Sequence, residues 1–139
     1  MTGVNPGRSA VKFLLDSNPI IYYLNQQLPS AGRAFVDQLT IDGAAYSVMT
    51  RLEVLGFRML PNQRSRSERM LELFTELPMD DLVIDTAISL RSTLKIKAMD
   101  ALIASTALNL NLPLITHNSR DFQAIAGLTL IDPFQPSPS

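Results

Sequence analysis

Four acidic residues stand where short apolar runs or helical patterns begin or end. Asp16 directly follows the apolar run 11–15. Glu53 lies one turn after Thr50, Asp100 sits inside the apolar stretch 98–103, and Asp121 comes a few residues after Thr116. Carboxylates brought together repel one another, and each is costly to desolvate. A hard divalent cation is the natural compensation. Mg²⁺ is commonly held by one or two carboxylates plus waters and substrate phosphates, and Mn²⁺ suits the same ligands. One or two such ions can activate water, orient a phosphodiester and stabilise the leaving oxygen. Few other chemistries are open to this composition. There is no Cys, which excludes disulfides, thiol nucleophiles and thiolate metal sites, and the single His excludes His-rich metal sites.

The elements that must position these acids follow from hydrophobic patterning. Residues 11–15 predict a buried strand. Asn18 followed by Pro19 predicts an N-cap and a helix over 20–27. Ser30 opens a second helix through Thr40. Residues 44–49 predict a second strand, with Thr50 capping a helix that ends near Leu60 because Pro61 follows. Ser65 and Glu68 form a capping-box pattern that opens the next helix, whose apolar residues are Met70, Leu71, Leu73, Phe74 and Leu77. Residues 82–84 predict a third strand, and Asp85 caps a helix to about Leu94. The spacing of Met99, Leu102, Ile103, Thr106, Ala107 and Leu110 predicts a helix over 98–110. Strands follow at 112–116 and 128–131.

Strands alternating with helical crossovers imply a mainly parallel sheet covered on both faces, a three-layer α/β/α sandwich. Ligands of such sheets bind outside the carboxyl ends of the strands. A helix that feeds a parallel strand through a short loop finishes at that strand's starting edge, so the helix opening near Asp100 begins at the carboxyl edge. All four acids then converge on one rim if the strands before Asp16, Glu53 and Asp121 are neighbours. Each acid also has a plainer role. Glu53 can close a capping box from Thr50, and Asp121 one from Asn118. Asp16 can serve a turn, and Asp100 can favour a helix dipole. Asp37, Asp42, Glu72, Asp80 and Asp81 read as solvated surface.

Four segments, residues 13–18, 50–53, 99–107 and 114–122, resemble the successive motifs of PIN-domain ribonucleases of the VapC toxin type, in order and over nearly the whole of 11–133. The resemblance implies a Mg²⁺- or Mn²⁺-dependent endoribonuclease with Asp16, Glu53, Asp100 and Asp121 as its acidic site. It implies an α/β/α fold, a homodimer, and a protein antitoxin that blocks the site. Ser17, Asn18, Thr116 and Asn118 match polar positions that support the acids in that family. Ser17 stands where Thr is common and His117 where Arg or Lys is usual; neither departure removes an acid.

Lys plus Arg is 12 and Asp plus Glu 13, a net charge of -1, which argues against nucleic-acid binding by bulk positive charge but not by a local patch. Arg51, Arg58 and Arg120 lie next to the acidic motifs and are candidate phosphate contacts. The runs Arg64, Arg66, Arg69 and Arg91, Lys95, Lys97 read either as solvated faces or as further phosphate contacts. Of Tyr22 and Tyr23 only one can face the core. Residues 1–10 and 134–139 read as flexible ends around one domain over 11–133. No run approaches the roughly 20 apolar residues of a membrane helix, so a cytoplasmic protein is expected. Two rival functions remain: a non-catalytic PIN module that binds RNA or protein, and a receiver-like domain that accepts phosphate on Asp85.

Overall fold

The computed structural model describes residues 10–136. The expected flexible ends at 1–10 and 134–139 therefore fall outside the described residues except for residues 10 and 134–136. Five strands form one all-parallel sheet: β1 (Phe13–Leu15), β2 (Ala44–Ser47), β3 (Thr75–Leu77), β4 (Leu114–Ile115) and β5 (Leu130–Ile131), in the spatial order β3-β2-β1-β4-β5. Successive side chains of a strand point to opposite faces, and both faces here are apolar. Leu15, Ala44, Tyr46 and Ile115 pack on one side with Ile20, Val36, Leu39, Val54, Met70 and Phe74. Leu14, Ala45 and Leu114 pack on the other with Ile103, Ala104, Ala107 and Phe122. This is the expected α/β/α sandwich.

The first layer is built from α1 (Ser17–Leu24), α2 (Ser30–Asp42), α3 (Val48–Leu55) and α4 (Pro61–Glu72). The second holds α5 (Asp81–Thr93), α6 (Ala98–Leu110) and the single turn α7 (Ser119–Phe122). From β1 the chain steps outward to β2 and β3, then returns to lay β4 on the other side of β1. That reversal makes the crevice between the carboxyl ends of β1 and β4 the switch point of the sheet, the place where such folds bind ligands.

Several predicted boundaries are corrected. Residues 82–84 are not a strand. Asp80 accepts a hydrogen bond from the Val83 N–H at 2.9 Å and caps α5 there. The third strand is instead 75–77, which continues the apolar helical spacing of Met70, Phe74 and Leu77 but takes its hydrogen bonds from β2. Asp85 consequently lies inside α5 and neither follows a strand nor caps the helix. Pro61 opens α4 rather than following a helix that ends at Leu60, because proline at the first helical position lacks only an N–H that has no partner there; Gln63 Oε1 accepts from the Leu60 N–H at 3.0 Å, and Ser65 lies inside the helix. Ser47, not Thr50, caps α3, and Thr50 is fully buried. Gly32 of α2 lets the chain near Pro133 come close: a Cβ there would lie 2.1 Å from the Pro133 carbonyl oxygen.

Candidate active site

Asp16 follows β1 directly and is the N-cap of α1, displacing the expected cap at Asn18 by two residues. Proline at 19 is compatible with either start, since the first N–H groups of a helix have no intrahelical partner. The shift decides what Asn18 does. Freed from capping, its Nδ2 donates to Thr116 Oγ1 at 3.2 Å, and its Oδ1 accepts from the His117 N–H at 3.0 Å. The ends of β1 and β4 are thus tied together across the switch point.

Asp16 is 5% exposed. Its Oδ1 accepts from the Ser17 N–H at 2.9 Å, and its Oδ2 accepts from the Thr116 hydroxyl at 2.9 Å. Thr116 Oγ1 also receives the Asn118 N–H at 3.0 Å. One donated bond and two accepted bonds fill that hydroxyl, so its proton is directed at Asp16. Burial raises the Asp16 carboxyl to about 6 from 3.8; the Ser17 and Thr116 bonds pull the other way, and the charges of Glu53 and Asp100 add to the rise. Asp100, in the first turn of α6, is half-buried and also raised, by desolvation first and then by Asp121 and Glu53, with Lys97 opposing. The four acids therefore share one rim. Asn118 Nδ2 donates to Asp121 Oδ2 at 2.6 Å, so Asn118 steadies the acid with its side chain instead of capping α7 with it.

The second helical contribution, Glu53, is exposed on α3, as is Asp121 on α7. Among the described residues no group of three or more acidic or histidine side chains is close enough to hold one ion. The donor set nevertheless suits a hard cation. Among the described residues no cationic side chain offsets Asp16, and each of its oxygens keeps a lone pair beyond the bonds to Ser17 and Thr116. The candidate phosphate contacts divide. Arg120 lines the groove that holds Asp100 and Asp121, together with Arg91, Lys95 and Lys97. Arg51 is paired with Glu76 at 2.6 Å, and Arg58 is exposed beyond the end of α3; neither lines that groove. The run Arg91, Lys95 and Lys97, which the sequence leaves open between a solvated face and phosphate contacts, lies in this groove, and Lys97 caps α6 three residues before Asp100. Sequence reasoning passed over Asp132 and Phe134, which reach His117 only through the fold.

Comparison with known proteins agrees with this architecture. The family model described as PIN domain matches residues 13–128. Among curated proteins none matches the chain. Among solved structures, a toxin–antitoxin complex from Klebsiella pneumoniae is 26% identical with a TM-score of 0.74, covering 89% of this chain and 99% of that one. VapBC-1 from nontypeable Haemophilus influenzae is 27% identical with a TM-score of 0.76, covering 90% and 100%. DNA-bound VapBC from Salmonella typhimurium, 22% identical with a TM-score of 0.80 over 89% and 99%, shares the fold.

Proposed function

The chain belongs to the PIN-domain family, and on that premise we propose that it is a Mg²⁺- or Mn²⁺-dependent endoribonuclease, the toxin of a toxin–antitoxin pair. The observation that carries this reading is the acidic rim at the switch point, where Asp16 and Asp100 are desolvated against like charges with little cationic relief. Asp16 and Asp100, with Asp121 and Glu53, would hold the cation. When bound, such an ion polarises a phosphodiester, activates water and stabilises the leaving oxygen. The protein's own part is positioning. The Ser17 N–H and the Thr116 hydroxyl hold the Asp16 carboxylate in one orientation, and Asn18 and Asn118 hold Thr116. Asn118 holds Asp121. Glu53, exposed at the rim, either binds the ion or takes a proton from the attacking water. Arg120 and Lys97 steady phosphates beside the acids.

The antitoxin is inferred from the neighbours, which are toxin–antitoxin complexes. A groove between α1, α3 and α4 joins apolar side chains, Ile21, Leu24, Val54, Phe57 and Met59, to the polar Asn25, Gln63, Arg66 and Ser67, and is a candidate surface for such a protein. A homodimer acting in the cytoplasm completes the reading. Of the apolar residues around α4, Met70, Leu71 and Phe74 are buried in the chain's own core, while Leu73 stays exposed. No helix among the described residues is long and apolar enough to cross a membrane.

Purified protein should degrade loop-rich RNA with Mg²⁺ or Mn²⁺ and stop when EDTA is added. Cleavage that persists fully in EDTA in a contaminant-free sample overturns the metal-dependent reading. RNA binding without any metal-dependent cleavage selects the rival reading, a non-catalytic module. Growth arrest on expression, relieved by a short protein encoded in the adjacent reading frame, tests the toxin role. Light scattering at micromolar concentration tests the dimer.

A further inference from the structure

Beside the acidic rim stands an aromatic group that plays no part in holding the acids. His117 stacks on Phe134, with ring centroids 3.9 Å apart and planes 24° from parallel. Tyr22 meets both rings edge-on, at 5.7 Å from His117 and 5.4 Å from Phe134. These nearly equal distances put Tyr22 alongside the stack and not over either end. One face of His117 is therefore covered by Phe134, and among the described residues no aromatic ring covers the other. The imidazole is also fixed in its plane, because Nδ1 lies 2.9 Å from Asp132 Oδ1. Its side chain remains 40% exposed.

His117 borders a groove of about 470 Å³, lined also by Asn18, Tyr22, Asn118, Ser119 and Arg120. That volume is within the range of small-ligand sites, roughly 300–1,000 Å³. His117 and Tyr22 both line it and Phe134 does not, so the groove reaches the His117 ring without crossing its Phe134 partner. Arg120 also lines the neighbouring groove of Arg91, Lys95, Lys97, Asp100 and Asp121. Arg120 is thus common to the two grooves, one of which holds Asp100 and Asp121 and the other His117. The Tyr22 hydroxyl makes no hydrogen bond among the described residues and is free to meet a polar ligand edge.

We propose that the His117 groove is a nucleobase seat: one unpaired base of a single RNA strand stacks on the open face of His117, Arg120 holds the adjoining phosphate, and the strand continues past Asp100 and Asp121 over Arg91, Lys95 and Lys97. The proposal rests on the ribonuclease reading and names the part of the substrate that is gripped. A base within a duplex is already paired and stacked, so the seat selects loops and single strands. The flat ring face recognises a base without reading its identity, because every base has a π-face. The charged track beyond it follows the backbone.

The test measures binding of fluorescein-labelled single-stranded RNA octamers to the full chain at low salt in EDTA, which prevents cleavage. One octamer is intact, and the others carry a single abasic position scanned along the strand. Wild type should lose about 5- to 160-fold in affinity at one abasic position, the size of one base–aromatic stack. His117→Ala should lose the same factor with the intact octamer and show no further loss at that position. His117→Tyr keeps a stacking face without the Asp132 contact and should restore the abasic penalty. Arg120→Ala should weaken intact and abasic octamers equally and reduce the slope of log K against log salt by about 0.7. An abasic penalty that survives in His117→Ala, or that is absent at every position in wild type, overturns the seat while the ribonuclease reading stands. His117→Tyr behaving like His117→Ala assigns the ring to a latch on Asp132 and also overturns it. Wild type that binds no octamer overturns both the seat and the RNA reading beneath it.

Discussion

Asp16→Asn removes the most deeply buried charge of the rim and leaves the side-chain shape almost unchanged. One pKa unit corresponds to about 1.4 kcal/mol. A carboxyl moved from 3.8 to about 6 therefore makes ionised Asp16 cost the fold about 3 kcal/mol. The sign follows from which state keeps its proton. Below pH 3.8 both folded and unfolded chains carry it, and the full stability is present. Between 3.8 and about 6 the unfolded chain has released the proton and the folded chain has not, so stability falls as pH rises. Above about 6 the loss is complete. The Asn variant has no such loss. It has a different, pH-independent one: its Nδ2 faces Thr116 Oγ1, which already accepts from Asn18 and Asn118, and one hydrogen bond worth about 1 kcal/mol is lost. The variant should be about 1 kcal/mol less stable than wild type near pH 3.5 and about 2 kcal/mol more stable at pH 7. Urea unfolding followed by circular dichroism in EDTA at pH 3.5, 5, 6 and 7 measures the difference. A difference that is constant across pH refutes the argument that burial opposes the Asp16 charge. Mn²⁺ at pH 7 should raise the unfolding midpoint of wild type and not of the variant, because an ion that binds only the folded state stabilises it by mass action.

Asp100→Asn should lower RNA cleavage by roughly 100-fold or more while leaving metal-free unfolding unchanged or slightly more resistant, since a like charge leaves the rim; a gel-based cleavage assay near wild-type rate would remove Asp100 from the site. Gly32→Ala should destabilise by about 1–3 kcal/mol, because the new Cβ meets the Pro133 carbonyl oxygen and the backbone must shift. An unaltered thermal midpoint would mean that the turn at Pro133 is not packed on α2. Asp80→Ala should cost about 1 kcal/mol through loss of the bond to the Val83 N–H, measured by chemical denaturation; no loss would argue that Asp80 does not cap α5.

The sequence alone determined the elements whose apolar patterns are long or unbroken. β1, β2 and α6 follow from such patterns, and with the crossovers between them they imply a parallel sheet covered on both faces. Placing Asp16 after β1 and Asp100 in the first turn of α6 required no more than that. Tertiary structure decided what local patterns leave degenerate. Residues 75–77 and 82–84 are both short apolar-bearing segments; β2 offers hydrogen bonds to the first, and Asp80 caps the second into a helix. Pro19 and Pro61 each permit more than one helix start, and packing selected among them. The cap at Asp16 in turn turned Asn18 from a helix opener into a tie between β1 and β4. His117 shows the limit most directly. In the sequence it is an isolated loop residue, whereas in the fold Tyr22, Asp132 and Phe134 surround it. No periodicity encodes that meeting, because it depends on how the ends of β1, β4 and β5 lie side by side in the sheet.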